Sequence, residues 1–421
     1  MSCKLNIRNL KDEHREIIDT ELNIRIEPGK YGGGMVKYLT PYQVISNDIY
    51  LPFSFAYKIL QISRPKRSNF SKMEIKFEAE LRDYQKEVKK EAIELLNKNG
   101  SALISMGCGM GKTITSINIA CTIKLKTLIV VNKLVLVKQW KDSITQFCPS
   151  AKTQSLTPKS ELDDDCDFYI MNAINISKMG KNFFKNIGFL CIDEVHLIMA
   201  DKLSNLMNFI FPRYLIGLSA TPYRIDGLNI LLDLYFGEDK IIREMNHKHI
   251  VYKVDTNIKI KGELTEMGKV NWNSVLEAQS NNEERNDLII NIIKKFSDRN
   301  FLVLVKRVEH GNTLVNKLQE EGEYVTSLLG TNQEFDKEAR ILVATSQKAG
   351  CGFDHPKLDA LMLAVDFKDY FSQIIARVFR RRDVEPIVFD ILDDNPILIN
   401  HYKKRKEVYS KIGGKIQSYK F

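Results

Sequence analysis

The sequence lacks the marks of a membrane, secreted or metal-framework protein. No apolar run approaches the roughly 18 residues that a membrane helix needs. The first residues, MSCKLNIRNLKDEHRE, are charged and hold no secretory leader, so the chain is expected to work inside a cell. Seven cysteines are scattered without a C-x-x-C pair or a Cys/His cluster. That spacing argues against a disulfide framework and against zinc. No short-period repeat and no low-complexity tract is present, which removes solenoids and disordered arrays. A strong charge imbalance is also missing. The net charge of +9 permits an anionic partner without requiring one.

What is present is ordinary globular composition, 44% hydrophobic and 27% charged over 421 residues. That length accommodates two or three domains. Residues 1–77 read as an N-terminal accessory module, rich in turn-formers, with IYLPFSFAYKIL as strand then helix. The basic stretch SRPKRSNFSK (63–72) reads as a solvated linker or a phosphate-touching loop. From Leu81, apolar runs of strand length alternate with amphipathic stretches: SALISM, TLIVVN, FYIMN, FLCID and LIGLSA. The alternation predicts a parallel sheet with helices on both faces. A polar linker follows (229–285), and a second block begins at 286: FLVLVK, YVTSLLG, RILVATS, ALMLAV and PIVFDIL. The fold class is therefore α/β with two similar lobes, over 78–228 and 286–421. The basic tail, HYKKRKEVYSKIGGKIQSYK, reads as a helix that frays.

The sharpest signal is Gly107-Cys108-Gly109-Met110-Gly111-Lys112-Thr113, placed after the strand SALISM and before a helix. Phosphate binding needs that context. Gly109 and Gly111 let the backbone curl so that N–H groups point at phosphates, and the helix N-terminus adds partial positive charge. Lys112 then reaches the β- and γ-phosphates, and the Thr113 hydroxyl is a ligand for Mg²⁺. The strand GFLCID ends in Asp193-Glu194-Val195-His196. Asp193, at a strand's carboxyl end, is placed to hold Mg²⁺, and Glu194 to orient and deprotonate the attacking water.

At this point the chain resembles superfamily two helicases, over residues 80 to 392. DEVH (193–196) is similar to their DExH box. SAT (Ser219, Ala220, Thr221) is similar to the motif that couples the ATP site to nucleic acid. LRDYQ (81–85) resembles the adenine-side motif, with Gln85 the implied base reader. VNKLVLVKQW (131–140) resembles a strand-binding segment, with Lys133 and Gln139 as backbone contacts. ATSQKAGCGFDHP (344–356) is similar to the fifth motif and places Gly352 and Asp354 at the nucleotide. QIIARVFR (373–380) resembles the sixth, with Gln373 coupling and Arg377 and Arg380 as finger arginines. Met106, Ala376 and Ile374 depart from the usual glycine, glycine and basic residue.

The resemblance implies two tandem RecA-like domains closing on one ATP with Mg²⁺, and nucleic acid held across both lobes by Lys133, Gln139, Arg307, Thr345 and Lys348. Trp140 reads as core or as a base-stacking residue, and Arg224 as a phosphate contact or a surface charge. KQW and GFDHP look closest to the DNA-directed group around XPB and to transcript-release helicases of large DNA viruses. That implies DNA over RNA, 3′-to-5′ polarity, transcription machinery as a partner, no membrane, and host cytoplasm or virion as the location. Alternatives are a duplex translocase that displaces bound complexes, an RNA helicase, and a binding scaffold with a dead ATP site.

Overall fold

The structure is a computed structural model. It describes all residues except 1, 27–36, 108, 181, 199–209, 221–228, 333, 351–354, 368–373, 380, 382 and 421. The chain divides into two compact units, Met1–Met106 with Gly111–Arg243, and Gly107–Met110 with Glu244–Phe421.

The first unit opens with short strands β1 (Ser2–Asn6), β2 (Ile24–Ile26), β3 (Lys37–Leu39), β4 (Gln43–Ile45) and β5 (Asp48–Pro52), and helix α1 (Asp12–Glu21). Strands β1, β5 and β4 form one antiparallel sheet, and β2 pairs with β3. Residues 2–26 and 37–77 contribute side chains that pack directly on the rest of this unit. Phe53 joins the apolar core of the main sheet. Cys3, Leu51 and Phe55 share a second cluster with Leu234.

The main sheet contains β6 (Ser101–Met106), β7 (Thr127–Val131), β8 (Thr153–Leu156), β9 (Phe168–Asn172), β10 (Phe189–Ile192), β11 (Tyr214–Ser219) and β12 (Lys240–Arg243). Its order is β12-β6-β11-β10-β7-β9-β8, parallel throughout. Every residue of β6, β7, β9, β10 and β11 is buried, as a sheet covered on both faces requires. Helices α2 (Asp83–Asn99), α3 (Lys112–Ile123), α4 (Leu134–Phe147), α5 (Val195–Ile198) and α6 (Asn229–Phe236) connect these strands.

Within the basic stretch 63–72, two arginines bind helix ends. Arg64 donates to the carbonyls of Leu96 and Asn97 at 3.0 and 2.8 Å, and Arg67 donates to that of Ile123. Both guanidinium groups thus bind carbonyls in the last turns of α2 and α3, where the helix dipole favours a cation.

The second unit repeats the architecture. Its strands are β13 (His249–Lys259), β14 (Phe301–Val305), β15 (Val325–Leu328), β16 (Ile341–Thr345), β17 (Ala360–Leu363), β18 (Ile387–Asp394) and β19 (Gly414–Tyr419). The order is β15-β16-β14-β17-β18-β13-β19, again all parallel. The helices are α7 (Trp272–Ser280), α8 (Glu283–Lys295), α9 (Val308–Glu320), α10 (Ser346–Gly350) and α11 (Pro396–Lys411). Each unit is a RecA-like domain. The stretch 229–285 supplies α6 and β12 to the first unit and β13 and α7 to the second. The tail does not fray: α11 is followed by β19, which extends the sheet beside β13, with the Tyr419 ring 5.4 Å from that of Tyr252.

Beneath the second sheet's carboxyl edge lies a buried ionic network. Arg405, from α11, donates to both oxygens of Asp390 at 2.9 and 2.8 Å, to Asp366 at 2.6 Å and to the Phe367 carbonyl at 2.7 Å. His401 and Tyr409 of the same helix reach Asp366 and Asp390.

Candidate ATP site and nucleic-acid track

Strand β6 runs into the glycine loop, and α3 begins at Lys112. Gly109 and Gly111 have φ of +78° and +88°, a left-handed geometry that glycine adopts at little cost. A Cβ added at Gly111 would collide with the Gln85 amide. Gln85 is buried, and its Oε1 accepts from the Arg82 amide at 2.9 Å. The base reader implied by LRDYQ therefore lies against the phosphate loop. Lys112 Nζ donates to the Met106 carbonyl at 3.2 Å. Only the backbone of position 106 is used there, which is why the buried Met106 side chain can replace a glycine. Thr113 occupies the first turn of α3. Cys108 lies outside the described residues.

Two strands away, β10 delivers Asp193, whose amide donates to the Val130 carbonyl at 2.9 Å. Its carboxylate is buried. Oδ1 accepts from the Glu194 amide at 2.9 Å and Oδ2 from the Trp140 indole at 2.8 Å. Burial raises the Asp193 pKa to about 6, helped by the neighbouring Glu194 charge and opposed by the Trp140 hydrogen bond and the Lys112 charge. Glu194 sits at φ +48°, a strained conformation for a residue with a Cβ. Its Oε2 is buried and accepts no hydrogen bond from the described residues. His196 Nδ1 lies 2.8 Å from Ser219 Oγ and 3.6 Å from Glu194 Oε2. The hydrogen bond between His196 and Ser219 thus links the DEVH segment to the end of the adjacent strand. Ala220 follows directly, and Thr221 and Arg224 lie outside the described residues.

These residues suit a divalent cation. A buried carboxylate that binds protons more tightly than usual, with two neutral donors among the described residues, gains from a cation close by. Trp140 resolves to core rather than a base-stacking role, and it orients Asp193. Sequence reasoning missed that link, because a helix residue 53 positions from its partner carries no local signal.

In the second unit, Arg377 lies in the 3-10 turn Ala376–Val378. Behind that turn, the Phe379 ring stacks on His247 with centroids 5.0 Å apart. Arg307 caps α9 and donates to the Asn273 carbonyl at 3.1 Å, 3.5 Å from Glu277. Thr345 ends β16, and Lys348 donates to the Asn332 carbonyl at 2.7 Å. In the first unit, Lys133 is exposed at the N-terminus of α4, and Gln139 is half-buried on that helix. Gly352, Asp354, Gln373 and Arg380 lie outside the described residues.

Residues 78–224 match the family model described as type III restriction enzyme, res subunit. The chain is 42% identical to candidate helicase 161L of Invertebrate iridescent virus 6, over the full length of both. It is 26% identical to candidate ATP-dependent RNA helicase L396 of Acanthamoeba polyphaga mimivirus, covering 98% of this chain and 85% of that one. It is 22% identical to the DNA 3′-5′ translocase XPB2 of Sulfurisphaera tokodaii, covering 79% and 86%. The solved structure of S. cerevisiae Dbp5 bound to RNA and ADP BeF3 superposes with a TM-score of 0.56, at 14% identity, over 79% of this chain and 89% of Dbp5. Among the described residues, no helix is long and apolar enough to cross a membrane. The fold, the phosphate loop and the full-length viral relative converge: the chain belongs to the superfamily two helicases, nucleic-acid-dependent ATPases, in the group carried by large DNA viruses.

Proposed function

We propose that this helicase acts on DNA, moving 3′ to 5′, and that Lys112, Glu194, Arg377 and Arg380 carry its chemistry. The observation behind the reading is the arrangement in the first unit. There the buried Asp193 and the half-buried Glu194 follow one strand, Lys112 follows another, and the Lys112 charge is felt at Asp193. Lys112 neutralises the β- and γ-phosphates. Glu194, strained and with an unsatisfied buried oxygen, takes the proton of the attacking water. Asp193 and Thr113 would hold Mg²⁺, which would supply charge neutralisation for the phosphate oxygens. Gln85 reads the adenine edge beside the loop. Arg377 and Arg380 supply the finger that makes hydrolysis depend on closure of the two domains, an effect worth about 10³ to 10⁵ in rate.

The DNA preference is supported by the KQW and GFDHP segments and by the archaeal XPB2 relative. A second reading, an RNA-directed motor, is favoured by the name of the mimivirus relative. ATP turnover with single-stranded DNA, duplex DNA and RNA side by side separates the two. Unwinding of duplexes carrying a 3′ or a 5′ tail reads the polarity. Greater stimulation by RNA than by either DNA would overturn the DNA assignment.

A further inference from the structure

Four large apolar side chains are exposed on the second unit among the described residues, and three belong to one hairpin: Leu264 at 68%, Met267 at 86% and Val270 at 38%. The hairpin leaves β13 at the carboxyl edge of the sheet. Leu264 pairs with Val270 across it. Its turn is closed by the Thr265 amide on the Lys269 carbonyl at 2.7 Å and the Gly268 amide on the Thr265 carbonyl at 2.8 Å, with Gly268 at φ +72°. Its foot is tied to α7, because the Glu263 amide donates to Ser274 Oγ at 2.7 Å. The projection is therefore built, and its tip is apolar in water.

The foot of the hairpin is cationic and aromatic. Arg307 is held by Asn273 and Glu277 of α7. Lys306 Nζ lies 6.0 Å from the centroid of Trp272 and 5.5 Å from that of Phe367. Lys306 and Arg307 follow β14, so they lie on the same carboxyl edge as the hairpin. On the hairpin itself, Lys269 is outweighed by Glu263 and Glu266. The projection thus carries no excess positive charge and is unsuited to gripping phosphates. Phosphates suit the foot, and the apolar tip suits bases, since Leu and Met wedges unstack base steps in other nucleic-acid complexes.

We propose that the hairpin 263–271 is a strand-separating pin, with Met267 and Leu264 inserted against the bases at a fork while Lys306 and Arg307 hold the backbone. This inference rests on the reading of the chain as a nucleic-acid motor. It makes the protein a strand separator and not only a translocase.

The test compares the full chain with Leu264→Ser/Met267→Ser and with Met267→Leu on forked DNA and RNA duplexes. Both changed side chains are exposed, so the fold is retained. The double variant keeps single-strand-stimulated ATP turnover within about twofold and loses at least about tenfold in unwinding, whereas Met267→Leu unwinds like the unaltered chain. Unchanged unwinding, a parallel fall in turnover and unwinding, or no unwinding by the unaltered chain each overturn the pin. A shift in oligomeric state with unwinding intact assigns the tip to a second copy and likewise overturns it. If turnover of the unaltered chain ignores every nucleic acid, the motor reading itself fails, and the pin with it.

Discussion

The Trp140 indole donates to the Asp193 carboxylate at 2.8 Å, so a helix placed on the nucleic-acid side by its sequence motif also holds the first carboxylate of the DEVH segment. Lys133 and Gln139 lie on that same helix segment, α4 with its cap. A push on either is therefore one rigid element away from the ATP site.

Removing this hydrogen bond while keeping an aromatic ring isolates its role. In Trp140→Phe, Asp193 loses a charge-assisted bond worth about 1.5–3 kcal/mol. Its pKa rises beyond the about 6 of the unaltered protein. Half-maximal ATP turnover should then need more Mg²⁺, and the Mg²⁺ requirement should steepen below neutral pH. A Mg²⁺ titration of turnover checks this; curves that superpose would remove Trp140 from the site.

Asp193 also makes stability depend on pH. Its folded pKa lies above the unfolded value, so the folded state holds the proton more tightly. That contribution is present in full below about 3.8 and is lost as pH rises to about 6. Asp193→Asn removes the buried charge and keeps the shape. In the nucleotide-free protein it should be more stable than the unaltered chain at pH 7.5, by at most about 3 kcal/mol, and the gap should narrow at pH 5. Thermal melts at the two pH values decide; a variant less stable at pH 7.5 contradicts the assignment.

The ionic network of the second unit gives a different outcome. Arg405 and Asp390 are both buried. Asp390→Ala leaves the guanidinium without its bidentate partner, at a cost of about 3–5 kcal/mol. The second unit should unfold at lower denaturant, with the first little changed. A loss below about 1 kcal/mol would mean that the Arg405–Asp366 pair carries the network alone.

Lys133→Ala tests the nucleic-acid track. If the ammonium neutralises one phosphate, binding weakens uniformly across sequences and the slope of log affinity against log salt falls by about 1. An unchanged slope takes Lys133 off the track.

Much of this molecule was legible in the sequence because its signals are local. Each strand expected from an apolar run is present, since a parallel sheet buried on both faces must read as such a run. The glycine loop and the DEVH segment were legible for the same reason, being fixed by short stretches at strand ends. What stayed hidden was long-range. Nothing near Trp140 announces Asp193, nothing near Arg64 and Arg67 announces the ends of α2 and α3, and nothing near His196 announces Ser219. The tail misled because Lys403, Lys404 and Lys406 are exposed on the outer side of α11, while Arg405 and Tyr409 turn inward and the strand that follows pairs with β13.

The central claim is that nucleic acid drives ATP hydrolysis through Glu194. Turnover should be measured for the unaltered chain and for Glu194→Gln as single-stranded DNA is added. The account requires a rise of at least about tenfold in the first and none in the second, with nucleotide binding retained by the variant. Equal turnover in the two proteins, or turnover indifferent to nucleic acid, would contradict it.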